Sequence, residues 1–223
     1  MTEPIRVVLT RARGGNDELA ERLRASGLSV VECPLIRIEA LEGPPVSVSG
    51  YDWLVLTSRI AAQLLFARLD GRLPPIAVIG PGTAEAVREH GVEPALVARR
   101  STQEGLLEGL PRPAGRVLFA GAEDARPLLA IELGADVLPL YRTVPDEVPE
   151  FPDSDLVVLA SASAARALAT LGIGAPCVTI GPVTSAQARA GGLAVVEEAE
   201  THDVDGLTAA VKLVASRIAS SRS

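Results

Sequence analysis

The chain has 223 residues, 48% of them hydrophobic and only 3% aromatic, with a formal net charge of −7. That apolar content supports a packed core and excludes a disordered chain. The negative balance and the lack of a basic stripe interleaved with aromatics argue against general nucleic-acid binding, and no apolar run approaches the roughly 20 residues of a membrane helix. Residues 5–10 then form a continuous apolar run, suited to a strand covered on both faces. A loop at 11–16 leads to a helix over 17–25, where Leu19, Ala20 and Leu23 fall at helical spacing before Gly27 stops it. Residues 28–32 read as the next strand. Residues 34–41 alternate as an extended segment and run into Gly43-Pro44-Pro45-Val46. A strand over 51–58 ends on Thr57-Ser58. Next come a strand over 76–79, the turn Gly80-Pro81-Gly82-Thr83, a helix over 84–90 stopped at Gly91, and a short strand over 95–98. A further helix opens at Ser101, where Ser101 and Glu104 have capping-box spacing. Strands starting at Arg116 and after Gly134 follow, then an extended stretch at 141–144 leading to Pro145 and Pro149. A strand over 154–161, another at 177–180 and the turn Gly181-Pro182-Val183-Thr184 complete the order, and the tail after Val214 is expected to fray.

This order occurs twice. Gly80 and Gly181, Thr83 and Thr184, and Gly105 and Gly206 are each 101 positions apart. Upstream, Tyr51–Ser58 answers residues 154–161, Arg6-Val7-Val8-Leu9 answers Arg116-Val117-Leu118-Phe119, and Gly27 answers Gly134. The chain therefore reads as an internal duplication with too few copies for a solenoid. Alternating strands and helices give right-handed parallel units and doubly wound sheets. The expected fold is α/β, with two doubly wound parallel-sheet lobes joined by a two-stranded connector. Residues 1–35 with 151–215 form one lobe, 48–140 the other, and 36–47 with 141–150 the connectors.

The scarce residues narrow the chemistry. The sole lysine is Lys212, which makes Schiff-base catalysis implausible. His90 ends a helix, where a cation suits the dipole, and His202 sits in a polar linker. Neither belongs to a cluster of Cys, His or acidic residues, so a Ser-His-Asp triad or a metal site is not expected. Cys33 and Cys177 stand apart in apolar strand contexts and read as buried, reduced thiols of a cytoplasmic protein. Glu3 leads straight into a strand, so no signal peptide is read.

Ligands in open α/β sheets bind beyond the carboxyl ends of strands, at helix N-termini. Four such ends carry hydroxyl or glycine residues: Thr57-Ser58, Gly80-Pro81-Gly82-Thr83, Ser161-Ala162-Ser163 and Gly181 to Thr184. Simple N-capping is the plain explanation for any one of them. Four equivalent ends together offer many free backbone N–H groups, an anion-binding surface. The glycine turns match neither a dinucleotide fingerprint nor a phosphate loop. Arg11, Arg13, Arg59, Arg126, Arg142 and Arg166 lie near strand ends or connectors and suit carboxylates. Tyr141 stands at the connector, where a tyrosine either packs or offers its hydroxyl to a ligand.

Taken together, Val8-Leu9-Thr10-Arg11, Pro34-Leu35-Ile36-Arg37-Ile38, Tyr51 to Ser58, Ile79-Gly80 with Thr83-Ala84, Glu104-Gly105-Leu106-Leu107, Val137 with Leu140-Tyr141-Arg142-Thr143, and Ile180-Gly181-Pro182 with Thr184 resemble the uroporphyrinogen-III synthase family. The resemblance covers residues 5–214. It departs from the family pattern at Ile60, where an Asn is common, at Ala160 before Ser161, and at Val183 before Thr184. It implies two flavodoxin-like lobes and a monomeric enzyme of tetrapyrrole synthesis that needs no cofactor and no metal. The implied small-molecule substrate is hydroxymethylbilane, a linear tetrapyrrole with eight carboxylates. Tyr141 is then the candidate catalytic proton donor, and Arg11, Thr57, Ser58, Gly80, Gly82, Thr83, Ser161, Gly181 and Thr184 are candidate substrate contacts. The rival expectation is a non-catalytic two-lobed binding or sensor protein, which would share the architecture without the chemistry.

Overall fold

The structure, a computed structural model, describes residues 3–148 and 150–222. Pro149 of the return connector, and the terminal residues Met1, Thr2 and Ser223, lie outside the described residues. In chain order the elements are β1 (Arg6–Leu9), α1 (Asp17–Ala25), β2 (Ser29–Glu32), β3 (Ile36–Ala40), β4 (Val46–Ser47), β5 (Trp53–Leu56), α2 (Arg59–Phe66), β6 (Leu69–Asp70) and β7 (Ile76–Val78). Then come α3 (Pro81–Arg88), β8 (Leu96–Val97), α4 (Gln103–Gly109), β9 (Val117–Ala122), α5 (Leu128–Leu133) and β10 (Asp136–Pro145). The last are β11 (Leu156–Leu159), α6 (Ala162–Thr170), β12 (Cys177–Thr179), α7 (Pro182–Ala190), β13 (Val195–Glu198) and α8 (Val204–Ser221). The chain divides into two compact units, Met1–Ile38 with Val144–Ser223 and Glu39–Thr143.

The first unit is built on a sheet in the order β13-β12-β11-β1-β2, with every pairing parallel. Its central strands are continuous apolar runs because both faces are covered, and alternate residues go to opposite sides. Val7 and Leu9 of β1 with Leu156 and Val158 of β11 pack under α1 and α8, against Leu19, Leu23, Leu207, Val211 and Val214. Val8, Val157 and Leu159 enter the opposite layer, with Ala164, Ala165 and Leu168 of α6 and Ala188 of α7. Cys33 and Cys177 are buried in that same layer. The expected fraying after Val214 does not occur. The helix continues to Ser221, because Ala215 and Ile218 carry the apolar stripe onward against the core.

The second unit holds a sheet in the order β3-β10-β9-β5-β7-β8. The strands β5, β7, β8, β9 and β10 pair in parallel. Val55, Ala77, Val117 and Phe119 face Leu106 and Leu107 of α4 and Leu129 of α5. Leu54, Leu56, Ile76 and Val78 take the alternate positions and are 1% exposed or less. The edge strand β3 runs antiparallel to β10, since the Leu41 N–H donates to Leu140 while the Asp146 N–H donates to Leu35. Leu41, near the start of this unit, is also held by Arg68, whose guanidinium donates to its carbonyl at 2.9 Å.

Two local expectations shift. The helix expected at 84–90 begins at Pro81, whose fixed φ and missing N–H suit the first helical position. The cap of α4 is Thr102, not Ser101: its hydroxyl accepts from the Gly105 N–H at 3.0 Å. Asp203 does the same for α8, accepting from the Gly206 N–H at 2.8 Å. The capping-box spacing missed this because the cap-to-amide contact runs from Thr102 to Gly105, one residue later.

Candidate active site

Parallel strands deliver all their carboxyl ends to one edge of a sheet, where the following helices begin. In the second unit β5 runs into Thr57 and Ser58, and Ser58 caps α2 by accepting from the Ala61 N–H at 3.0 Å. Its backbone is extended, as an N-cap must be, while its side chain turns back on the first turn. The neighbouring strand β7 runs into Gly80 and Pro81, which open α3. The turn is tight there: a Cβ on Gly80 would lie 2.5 Å from Ser101 Oγ, which would have to turn aside. Thr83 is 5% exposed in the first turn of α3.

Tyr141 reaches this group from β10. In the β9–β10 pairing Pro139 faces Gly121 and Tyr141 faces Ala122, so Leu140 is an extra residue. Such a bulge resets the alternation of a strand and re-aims the next side chain. Leu140 and Tyr141 are accordingly both buried, at 0% and 8% exposure. The Tyr141 hydroxyl donates to Ser58 Oγ at 3.0 Å. Burial pushes the Tyr141 phenol above its usual range; the bond to Ser58 offsets part of this, and the Asp124 carboxylate adds to it. The group therefore stays protonated at neutral pH.

The first unit repeats the helix starts without the phenol. Ser161 caps α6, accepting from the Ala164 N–H at 3.1 Å. Gly181 and Pro182 open α7, and Thr184 is 4% exposed in its first turn. A Cβ on Gly181 would lie 2.7 Å from the His202 ring. Arg11 follows β1, next to β11 in the sheet, and is half-buried with its guanidinium donating to the Gly15 carbonyl at 3.2 Å. Burial lowers the Arg11 pKa, and the Glu18 carboxylate opposes that. Among the described residues Arg11 pairs with no carboxylate. A cation partly stripped of water without an anionic partner is predisposed to accept one.

The structure thus gathers Thr57, Ser58, Gly80, Gly82, Thr83 and Tyr141 along one sheet edge of the second unit. It gathers Arg11, Ser161, Gly181 and Thr184 along the matching edge of the first. Among the described residues no cap takes the first-turn N–H groups of Arg59 and Ile60, Gly82 and Thr83, Ala162 and Ser163, or Val183 and Thr184. Gly82 lies in the first turn of α3. It is a helical residue outside the positive-φ set, exposed beside Arg59, so its conformation does not require glycine. Other arginines are engaged: Arg59 with Glu85 and Glu89, Arg126 with Glu104 and Arg142 with Glu39. Exposed pairs of this kind contribute only about 0–1 kcal/mol and can be exchanged for a ligand.

Sequence reading passed over Ser101 and His202, which stand against the two glycine turns. The signal was present, because His202 follows Gly181 at the interval by which Ser101 follows Gly80. A surface hollow lined by Glu3, Arg6, Asp153, Asp155 and Arg222 lies at the amino ends of β1 and β11. It sits on the edge of that sheet opposite Arg11, Ser161 and Gly181, and there Asp155 pairs with Arg222 and accepts the Arg6 backbone N–H. Among the described residues no group of His, Cys, Asp and Glu could hold a metal ion, and no helix is long and apolar enough to cross a membrane.

These features define an α/β protein with mostly parallel sheets and hydroxyl-bearing helix starts at the strand ends. A crystal structure of a mutant uroporphyrinogen III synthase from Thermus thermophilus shares the fold, with TM-score 0.64 and 20% identity over 96% of this chain and 99% of that one. The family model described as uroporphyrinogen-III synthase HemD matches residues 17–209, and the chain belongs to that family. A uroporphyrinogen-III synthase of Synechococcus elongatus is 30% identical over 136 residues, 52% of this chain and 50% of the relative. The porphyrin biosynthesis protein HemD of Ruminiclostridium josui is 30% identical over 101 residues, 39% of this chain and 20% of the relative. The matched segments therefore span half or less of these two relatives.

Proposed function

We propose that this chain is a uroporphyrinogen-III synthase, which dehydrates hydroxymethylbilane and closes it to uroporphyrinogen III with inversion of the terminal ring, in tetrapyrrole and haem biosynthesis. The observation that carries this reading is the family match across residues 17–209, which takes in both sheet edges described above except Arg11. The two units are read as flavodoxin-like, internally duplicated lobes joined by connectors around β3 and β10. The order β2-β1-β11-β12-β13 supports that, as does β10-β9-β5-β7-β8 with β3 added at its edge. The enzyme is further proposed to act as a cytoplasmic monomer without a cofactor.

The chemistry asks for little covalent work. Loss of hydroxide leaves an azafulvenium cation; the terminal ring attacks through its substituted carbon, and the spiro intermediate breaks and recloses inverted. The protein has to help the hydroxide leave and hold a flexible polyanion in a coiled pose, which is a proximity effect. A chain of net charge −7 attracts no polyanion as a whole, so the attraction is local. First-turn N–H groups of α2, α3, α6 and α7 supply it, with dipoles contributing about 0.3–1 kcal/mol each. Arg11 adds a full charge, Thr57, Thr83, Ser161 and Thr184 add hydroxyls, and Gly80 and Gly181 keep the helix starts open. Tyr141 is the source of the proton for the leaving hydroxide.

The test is incubation with hydroxymethylbilane and chromatographic resolution of the product isomers. Uncatalysed closure gives the type I isomer, so a rapid excess of type III is the expected result. Unchanged type I formation in the presence of folded protein refutes the assignment.

A further inference from the structure

The bonding around Ser58 deepens the reading above, on which this inference rests. Ser58 Oγ accepts two hydrogen bonds, from the Ala61 N–H at 3.0 Å and from the Tyr141 hydroxyl at 3.0 Å. A serine oxygen has two lone pairs and one hydrogen. Both lone pairs are taken, so Ser58 can meet a ligand only as a donor. Among the described residues no protein acceptor takes its hydrogen, and the side chain is half-buried rather than sealed. Tyr141 is placed the other way: it is 8% exposed, and its own hydrogen is committed to Ser58. Ser161, at the corresponding helix start of the first unit, accepts the Ala164 N–H and, among the described residues, receives no phenol. The serine–tyrosine pair is thus a property of one copy of the duplication, and it depends on the bulge at Leu140.

We infer that Ser58 is the catalytic residue that hands the proton to the departing hydroxide, with Tyr141 behind it as the proton's source. In this step the carbon–oxygen bond of the hydroxymethyl group breaks and its electron pair goes to oxygen. That oxygen takes the Ser58 hydrogen and leaves as water, while Ser58 Oγ takes the Tyr141 hydrogen. Positive charge remains on the azafulvenium and negative charge on the phenolate. The proton released when the closed ring regains aromaticity restores the phenol. The transfer runs downhill, because a phenol is a much stronger acid than water. A buried phenol could not reach a bulky tetrapyrrole by itself, whereas a half-exposed serine at the strand end can.

The experiment is a double-mutant cycle of Ser58→Ala and Tyr141→Phe, with Ser58→Thr as the conservative variant, read as rate and III-to-I ratio. Ser58→Ala is expected to lower kcat about 10²–10⁴-fold with little change in KM, and Tyr141→Phe is expected to do the same. The double variant should lose no more than either single one, because the two groups act as a unit. Ser58→Thr should restore most of the rate. Loss of the α2 cap affects unfolding temperature and is monitored separately, with Ser161→Ala giving the size of a cap loss where no phenol is present. If Ser58→Ala turns over at the wild-type rate, or if the two losses multiply, the relay is refuted and Tyr141 acts directly or not at all. If the wild-type protein itself gives no excess of type III, the failure lies in the functional reading instead.

Discussion

Replacing Gly206 by alanine tests how the start of α8 is built. A Cβ there would lie 2.6 Å from Thr201 Oγ1 and 2.9 Å from the Thr201 carbonyl carbon, with the carbonyl oxygen closer still. Ordinary contact begins near 3.5 Å, so the backbone on one side must yield by about 1 Å. If the helix start moves, the bond from the Gly206 N–H to Asp203 is lost, at about 1 kcal/mol for a cap. If the segment around Thr201 moves, overpacking costs about 1–3 kcal/mol. Alanine's better helix propensity returns up to about 1 kcal/mol. The net expectation is a loss of up to about 2 kcal/mol, or up to roughly 8 °C in Tm for a chain of this size. Thermal unfolding followed by circular dichroism measures it, with Gly174→Ala as control. No atom lies within 4 Å of a Cβ at Gly174, and its φ is not positive, so that change should be neutral or stabilise slightly. Equal unfolding temperatures for the two variants would refute the crowding argument. The consequence reaches the candidate site, because a displaced Thr201 carries His202 away from the Gly181 turn.

Other outcomes follow from the same structure. Gly82→Ala should stabilise α3 by roughly 0.5–1 kcal/mol, since the new Cβ meets only Arg59 Cδ at 3.8 Å; a folded variant with weakened turnover would show that substrate approaches this turn closely. Arg11→Gln should weaken substrate binding about tenfold, by the scale of a charge-assisted hydrogen bond, and make KM less dependent on salt; an unchanged KM would remove Arg11 from the site. Burial pushes the Cys177 thiol up to about 11. Its contribution is therefore intact below the unfolded value near 8.5 and falls as pH rises toward 11, by about 2–3 kcal/mol at most, because only the unfolded chain can ionise there. Urea unfolding from pH 8 to 11 should show that slope in the wild type and a smaller one in Cys177→Ala; parallel slopes would contradict it.

Much of the architecture was legible in the residues. Val7-Val8-Leu9 and Leu156 to Leu159 are apolar without alternation, which only a strand covered on both faces needs, and both lie central in their sheet. Glycine and proline punctuation marked the turns at Gly80 and Gly181, although the helices open inside them, at Pro81 and Pro182. The constant interval of 101 positions pointed to Gly80 with Gly181 and Thr83 with Thr184, and both pairs stand at the starts of helices that follow parallel strands. The cap of α4 and the length of α8 were misjudged. Capping is settled by which hydroxyl lies one turn from a free amide, and a polar tail ordered by a buried stripe resembles one that is not.

The tertiary structure alone decided the contacts across long sequence separations. Tyr141 and Ser58 are 83 residues apart, and nothing in either local sequence announces the other. They meet because β10 and β5 flank β9 and because one extra residue at Leu140 turns the tyrosine toward the serine. The placement of His202 over Gly181 likewise arises where a loop returns to the sheet edge. Sequence periodicity records which face of an element is buried, a local property of backbone geometry. Strand order and register are set by the packing of whole layers, and they determine which hydroxyl receives which proton.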